Sequence, residues 1–350
     1  MQMGQESIFV SALRSFCKVF FASCGLFLAF ILFSFAYSFI GSSSLIETKT
    51  DMSILPDAEG KREFVVATAP AILQINLHGI VGDPVNGFVA ESIESMLLES
   101  HSGLLANNRV KGILLHMNTP GGTVADSDGI YRLLKQYKEK YQVPIFAYVS
   151  DLCASGGMYI TSAADRMYAS PIAIVGSVGV IMGPFFNFSQ TMEKIGVQAK
   201  TLTEGLDKDA MAPYRPWKEG EDRSLQAIAT HYYHQFVDIV TAAHPRLSKD
   251  KLIHEYGAQV FDAETAEQYG YIDKAGSSRN ETLLALLEEA KMDPAKPYQV
   301  VELAPRRGWI SSLIKGEVGL LSGKVEHRLD LGQPRINGQF AYLYQPDGSR

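Results

Sequence analysis

Two segments of this chain follow one plan: a short apolar run, a loop with paired glycines, then a helix-like pattern. Val110-Lys-Gly-Ile-Leu-Leu-His-Met117 enters Asn118-Thr-Pro-Gly-Gly-Thr123, followed by apolar positions at Ile130, Leu133, Leu134 and Tyr137. Val143-Pro-Ile-Phe-Ala-Tyr-Val149 enters Asp151-Leu-Cys-Ala-Ser-Gly-Gly157, followed by Met158-Tyr-Ile-Thr-Ser-Ala-Ala164. Runs this short and this apolar read as buried strands, and their alternation with helices predicts a parallel sheet with right-handed crossovers. Neighbouring parallel strands bring the loops that follow them to one sheet edge. The plan therefore constrains both the fold and the place where chemistry can sit.

Ser155 falls at the second strand-to-helix turn. Such a turn lifts a hydroxyl clear of the backbone, and the glycines after it leave amide N–H groups free to face a developing negative charge. A serine there is equally a preferred helix N-cap, so the residues alone leave a nucleophile and a cap both open. Gly121 and Gly122 lie just before a second helix, where unpaired N–H groups favour an anion, and Thr123 with Asp126 predicts a capping box. A hydroxyl nucleophile needs a base. None of the 8 histidines sits in a turn with glycine or acidic company suited to an imidazole–carboxylate pair. Lys208, in a loop after Gly205-Leu-Asp207 and before Asp209-Ala-Met-Ala-Pro213, is the better candidate, because burial disfavours the ammonium form. Its acidic neighbours Glu204, Asp207 and Asp209 act the other way, and a solvated loop lysine is the plainer alternative. Cys153, two residues before Ser155, reads as a small buried side chain supporting the turn.

Asn118-Thr-Pro-Gly-Gly122, Ala154-Ser-Gly-Gly157, Gly176-Ser-Val-Gly-Val180 and Lys208-Asp209 running into Pro213-Tyr-Arg-Pro216 resemble the signal peptide peptidase A family, also called the protease IV family of serine-lysine peptidases. The resemblance covers about Ile72 to Asp273 and holds in the order and spacing of the blocks. It implies a crotonase-like α/β fold shared with the Clp protease, a mostly parallel sheet with flanking helices, Ser155 as nucleophile and Lys208 as its base. With that mechanism come an oxyanion hole from the amides of Gly121, Gly122 and Gly156, no metal and no cofactor. The long members carry two tandem copies; this chain resembles one copy holding both residues. Thr119 and Met158 depart from the family's commoner serine and tyrosine, which bears on pocket shape rather than on the reacting groups. The resemblance also implies extended apolar peptides, residual signal peptides among them, as substrates, and a homo-oligomeric ring. The helix around Tyr232, Tyr233, Phe236 and Ile239 could be shared in such a ring or could cover its own sheet.

From Val19 to Ile46 no charged residue occurs, and residues 19–40 are long enough to cross a hydrocarbon core as a helix. Arg14 and Lys18 precede this run and Glu47 follows it, so the expected topology puts the N-terminus in the cytoplasm of a bacterial-type inner membrane and the catalytic domain outside. The stretch is longer than a cleaved signal and ends in bulky residues. A net charge of -6 offers no basic stripe and argues against nucleic acid as a partner. Of the 3 cysteines only Cys153 lies beyond the span region, which excludes an internal disulfide and a cysteine-type metal cluster there.

The expected organisation is a cytoplasmic N-terminus over 1–18, an anchor over 19–40, a linker over 41–70, a peptidase domain over 71–292 and an extension over 293–350. Within these, Pro84 to Leu105 reads as the first helical stretch and Val197–Thr203 as strand-like. In the extension Val300–Leu303 reads as a strand, Trp309–Ile314 as a short amphipathic segment and Phe340–Tyr344 as extended. Its aromatics argue for docking on the domain or on a neighbour rather than for disorder. Two rivals stand beside the anchored endopeptidase: an inactive membrane scaffold of the same fold, and a crotonase-like acyl-CoA enzyme.

Overall fold

The structure, a computed structural model, describes residues 8–41, 50–64, 68–305 and 341–343 and divides into two compact units, Met1–Lys49 and Thr50–Arg350. In the first unit the backbone of Ile8–Gly41 forms one helix, α1. Its described side chains, those of residues 14–30, are all exposed. Among the described residues no helix is long and apolar enough to cross a membrane, and the second half of the span expected over 19–40 has its side chains outside them.

The second unit carries the strands β1 (Thr50–Leu55), β2 (Ala71–His78), β3 (Ile80–Val81), β4 (Gly87–Phe88), β5 (Val110–Thr119), β6 (Gly121–Thr123), β7 (Ile145–Ala154), β8 (Arg166–Ala169), β9 (Ile174–Gly176), β10 (Val260–Asp262), β11 (Gln299–Pro305) and β12 (Ala341–Leu343). Its helices are α2 (Ala90–Glu99), α3 (Val124–Tyr141), α4 (Gly156–Thr161), α5 (Ser189–Lys194), α6 (Arg223–Ala243), α7 (Lys249–Lys251), α8 (Ala263–Tyr269) and α9 (Arg279–Glu289). The main sheet runs β1-β11-β2-β5-β7-β9-β10, with β8 also paired to β7. Its pairings are parallel except at the two ends, β1 with β11 and β10 with β9. A smaller sheet, β12-β6-β3-β4, stands beside it. The fold is therefore mixed α/β with a mostly parallel main sheet.

Strand residues point alternately to the two faces, and here both faces are covered. Ile72, Leu114 and Phe146 pack with Leu283, Leu286 and Leu287 of α9. Leu73, Ile113, Leu115 and Ala147 face the larger core with Ile130 and Leu134 of α3 and Ile160 of α4. Burial on both sides is why these strands read as unbroken apolar runs rather than as alternating ones. Each of the leucine, isoleucine and phenylalanine side chains among them contributes about 1.5–3 kcal/mol on leaving water.

Several elements differ from expectation. The stretch read as a linker contains β1, which pairs with β11 at the sheet edge, so the sheet begins before residue 71. The first helical stretch is shorter than Pro84–Leu105: β4 precedes α2, and a single 3₁₀ turn at Gly103–Leu105 follows it. Val197–Thr203 forms no strand, having no neighbour to pair with, and all of its residues are exposed. On α6, Phe236, Val237 and Val240 are buried and Tyr233 and Ile239 pack on the same core, so this apolar face covers its own domain. Trp309–Ile314 lies outside the described residues.

Candidate active site

β5 and β7 are adjacent and parallel, and their register brings Thr119 opposite Cys153. The two glycine loops thus leave neighbouring strands at the same end. β7 stops at Ala154, and Ser155 takes φ 55 and ψ -114, a left-handed φ that an L-residue adopts only where the surroundings impose it. Ser155 N–H donates to the Gly176 carbonyl (2.9 Å) and the Ser155 carbonyl accepts from Tyr159 N–H (3.1 Å), so the turn is held from both sides. Gly157 must be glycine on packing grounds. A Cβ there would lie 2.8 Å from Thr119 Cγ2 and 3.1 Å from Cys153 Sγ.

Ser155 occupies the N-cap position of α4, yet its side chain makes no capping hydrogen bond. The residue is 1% exposed and its Oγ has no hydrogen-bond partner among the described residues. A buried hydroxyl without a partner forgoes stabilisation, and such groups call for a functional explanation. The first intrahelical bond of α4 is the one from Tyr159, so the amides of Gly156, Gly157 and Met158 precede the ladder and point at the helix N-terminus. Gly121, by contrast, donates to Thr119 Oγ1 (3.1 Å).

The capping pair at α3 takes a modified form. Thr123 Oγ1 accepts from Asp126 N–H (3.2 Å) and donates to Asp126 Oδ2 (2.7 Å), while Asp126 Oδ1 accepts from Ala90 N–H (2.9 Å). Asp126 therefore ties α2 to α3 rather than closing a box on the Thr123 backbone. One edge of β6 pairs antiparallel with β12, Leu343 opposite Gly121 and Ala341 opposite Thr123.

Lys208 is exposed and has no hydrogen bond to Ser155. It stands on an arm, residues 181–217, in which Ala212 alone is buried. Phe186, Phe188, Ile195, Leu202 and Leu206 are exposed along this arm, Leu206 at 96%. The geometry thus brings Ser155 and the three glycines to one sheet edge and leaves Lys208 apart from them.

Cys153 is fully buried, and burial pushes its thiol up to about 12, with a weaker opposing contribution from Thr161. A thiol so held is not a nucleophile at neutral pH. His116 and His244 are both lowered to about 4, chiefly by burial, and remain neutral. Among the described residues no three His, Cys, Asp or Glu side chains come together as a metal site.

Two further side-chain clusters, one behind the serine turn and one next to Lys208 on the arm, were not read from the sequence. Tyr159 Oη donates to Asp128 Oδ1 (2.8 Å) and accepts from Gln235 Nε2 (2.8 Å), linking α4, α3 and α6 behind the serine turn. Arg215 reaches Asp209 and the buried Glu221 and, by its hydrogen bonds, holds both carboxylates below their ordinary range. The partners of the first lie far apart in sequence; Asp209 and Arg215 of the second fall within the block that carries the family resemblance, but their bonds to each other and to Glu221 do not show in its spacing.

The pattern of Peptidase family S49 matches residues 137–292. A protein of Methanocaldococcus jannaschii named "Putative protease MJ0651" is 33% identical over 239 residues, 68% of this chain and 74% of that one. An Enterococcus faecium protein named "Putative signal peptide peptidase SppA" is 32% identical over 228 residues, 62% of this chain and 65% of that one. A Brucella melitensis protein named "Na(+)/H(+) antiporter NhaA" is 29% identical over 236 residues, 66% of this chain and 31% of that one. The chain thus spans less than two thirds of the last two relatives.

Proposed function

The chain belongs to peptidase family S49, and from that premise we propose that it is a membrane-anchored serine endopeptidase with Ser155 as nucleophile and Lys208 as general base. The observation that carries the proposal is the Ser155 hydroxyl: seated on a strained strand-to-helix turn, buried, unused as a cap and beside the first amides of α4. Neutral Lys208 takes the hydroxyl proton as Oγ attacks the scissile carbonyl carbon. The Gly156 amide and the Gly121–Gly122 segment receive the oxyanion, Gly121 exchanging Thr119 Oγ1 for it. The base returns its proton to the leaving amine, and water then opens the acyl-enzyme by the same route. No step calls for a metal or an organic cofactor.

The substrate reading is an extended apolar peptide, signal peptides left after secretion among them. The β6 edge accepts a strand, as β12 does here, and a peptide pairing with it would displace β12. Anchoring through α1 rests on the uncharged run from Val19 to Ile46 behind Arg14 and Lys18, which orients the peptidase outward. The ring rests on the arm, whose exposed apolar side chains are of the kind a neighbouring copy covers. Packing the arm would also bury Lys208 and disfavour its ammonium form. The Clp-like details of the fold belong to this same reading.

The exposed position of Lys208 favours one rival, an inactive scaffold. A fluorophosphonate probe separates the two. The endopeptidase is labelled at Ser155, loses labelling in Ser155→Ala, and cuts a signal-peptide mixture at sites mapped by mass spectrometry. Absence of labelling by the wild-type chain in detergent would establish the scaffold.

A further inference from the structure

The arm that carries Lys208 is exposed along most of its length, but one point on it is tied down, and that point is the residue next to the lysine. Arg215 Nε donates to Asp209 Oδ2 (2.7 Å), and its Nη2 donates both to the Asp209 backbone carbonyl (2.7 Å) and to Glu221 Oε2 (2.6 Å). Nη1 donates to the Pro216 carbonyl (2.9 Å). The Glu221 side chain is 2% exposed, so the guanidinium bridges a fixed carboxylate to the backbone of the residue following Lys208. Neighbouring bonds brace the same knot: Asn187 Nδ2 to the Arg215 carbonyl (2.8 Å), Phe188 N–H to the Pro213 carbonyl (2.6 Å) and Trp217 Nε1 to the Ala212 carbonyl (3.0 Å). On either side of Lys208 the backbone is turned sharply, with φ 54 at Asp207 and φ 58 at Met211. A lysine on such a stretch depends on an external hold to keep its Cα in one place.

We propose that Arg215 is a positioning residue for the general base, gripping Asp209 by side chain and carbonyl and moored to buried Glu221, so that Lys208 is presented from a fixed backbone. The inference rests on the reading of Ser155 and Lys208 as a dyad. Arginine suits the task because its planar fork makes several directed bonds at once, which a lysine ammonium cannot reproduce. The grip has an electrostatic consequence as well. Glu204, Asp207, Asp209, Glu219, Glu221 and Asp222 are the carboxylates along residues 200–223, and Lys200, Arg215, Lys218 and Arg223 the further cations. With Arg215 removed, Glu221 loses its ion-pair partner and Asp209 keeps only the longer contact to Lys218 (4.0 Å). Less well matched carboxylates beside Lys208 favour its ammonium form, which moves the rising limb of activity to higher pH.

The test uses the full chain in detergent, with kcat and KM for a cleaved peptide measured from about pH 6 to 10 for the parent, Arg215→Met, Arg215→Lys and Lys208→Met. Expected for Arg215→Met is a kcat lowered about 10²-fold with KM changed less than about twofold, and a limb displaced upward in pH. Arg215→Lys should fall between it and the parent. A role in stability alone would lower the melting temperature and leave kcat per folded molecule and the limb where they were, which overturns the inference. If Arg215→Met does not fold, Glu221→Gln, which keeps the shape of the mooring and weakens it, replaces it: kcat down about tenfold supports the inference and unchanged kcat overturns it. Lys208→Met that still cleaves removes the dyad and this inference together. Lys208→Met that is dead beside an unaltered Arg215→Met removes this inference alone.

Discussion

The serine turn and the lysine arm are built in opposite ways. Around Ser155 every neighbour from Cys153 to Ala163 is buried, and the turn is locked by a carbonyl on Gly176 and by glycines that admit no Cβ. Around Lys208 the chain is a succession of exposed turns, and Gly196 and Gly205 have nothing within 4 Å of where a Cβ would stand. A nucleophile profits from rigid placement, since its geometry toward the scissile carbonyl sets the rate. In the proposed mechanism the base, held only at the Arg215 knot, would acquire its place when the arm is covered. The contrast teaches that one half of the proposed dyad is complete within a single chain, whereas the other half awaits packing.

The largest expected effect tests whether the two regions act as one unit. Ser155→Ala and Lys208→Met should each lower peptide cleavage by about 10³-fold or more, and the double variant should be no worse than either single one. Additive losses would show that the arm serves binding and does not supply the base. Cys153→Ser, within the rigid region, should keep most activity, because the thiol is buried and held protonated.

Next comes packing. Gly157→Ala places a methyl against Thr119 and Cys153 and should cost about 1–3 kcal/mol of stability in urea unfolding. Gly205→Ala meets no atoms and should cost about 1 kcal/mol, from its φ of 95 alone. Equal costs at the two glycines would mean that the arm is as tightly packed as the turn.

A third effect concerns acid. His244 is buried and lowered to about 4, so the unfolded chain takes up a proton on that imidazole near 6.5 while the folded chain does not. The native state thus binds fewer protons between these values. Stability is present above about 6.5, falls as pH drops toward about 4, and levels below. His244→Leu should flatten this part of the urea midpoint against pH by about 1–2 kcal/mol. An unchanged slope would place the acid sensitivity elsewhere in the core.

What the sequence disclosed follows the same division. The strand–glycine–helix units were legible because each is local: the apolar run, the glycines and the helix pattern adjoin, and register does the rest. β1 was hidden in Thr50–Leu55, a polar-looking stretch whose partner β11 lies at the far end of the chain. Val197–Thr203 has strand composition without a neighbouring edge, and composition alone does not make a ladder. Thr123–Asp126 announced a cap but not that Asp126 would also hold Ala90. The block from Lys208 to Pro216 marked a family resemblance, but which of its charges pair, and that Arg215 moors Asp209 to Glu221, could be read only from the fold.

The smallest expected effect bears most directly on the arm. Leu206 is 96% exposed, so Leu206→Ser removes no contact within the chain and should change its unfolding free energy by less than about 0.5 kcal/mol. If a second copy covers the arm, the same substitution buries a polar hydroxyl in that interface and shifts light-scattering mass toward smaller species at a given protein concentration. Loss of cleavage should then follow the loss of assembly across a dilution series, although the substituted atom lies outside the proposed chemistry. An assembly unaffected by Leu206→Ser and by the companion Leu202→Ser would leave the arm uncovered by a neighbour. The base would then have to reach Ser155 by closure of its own chain.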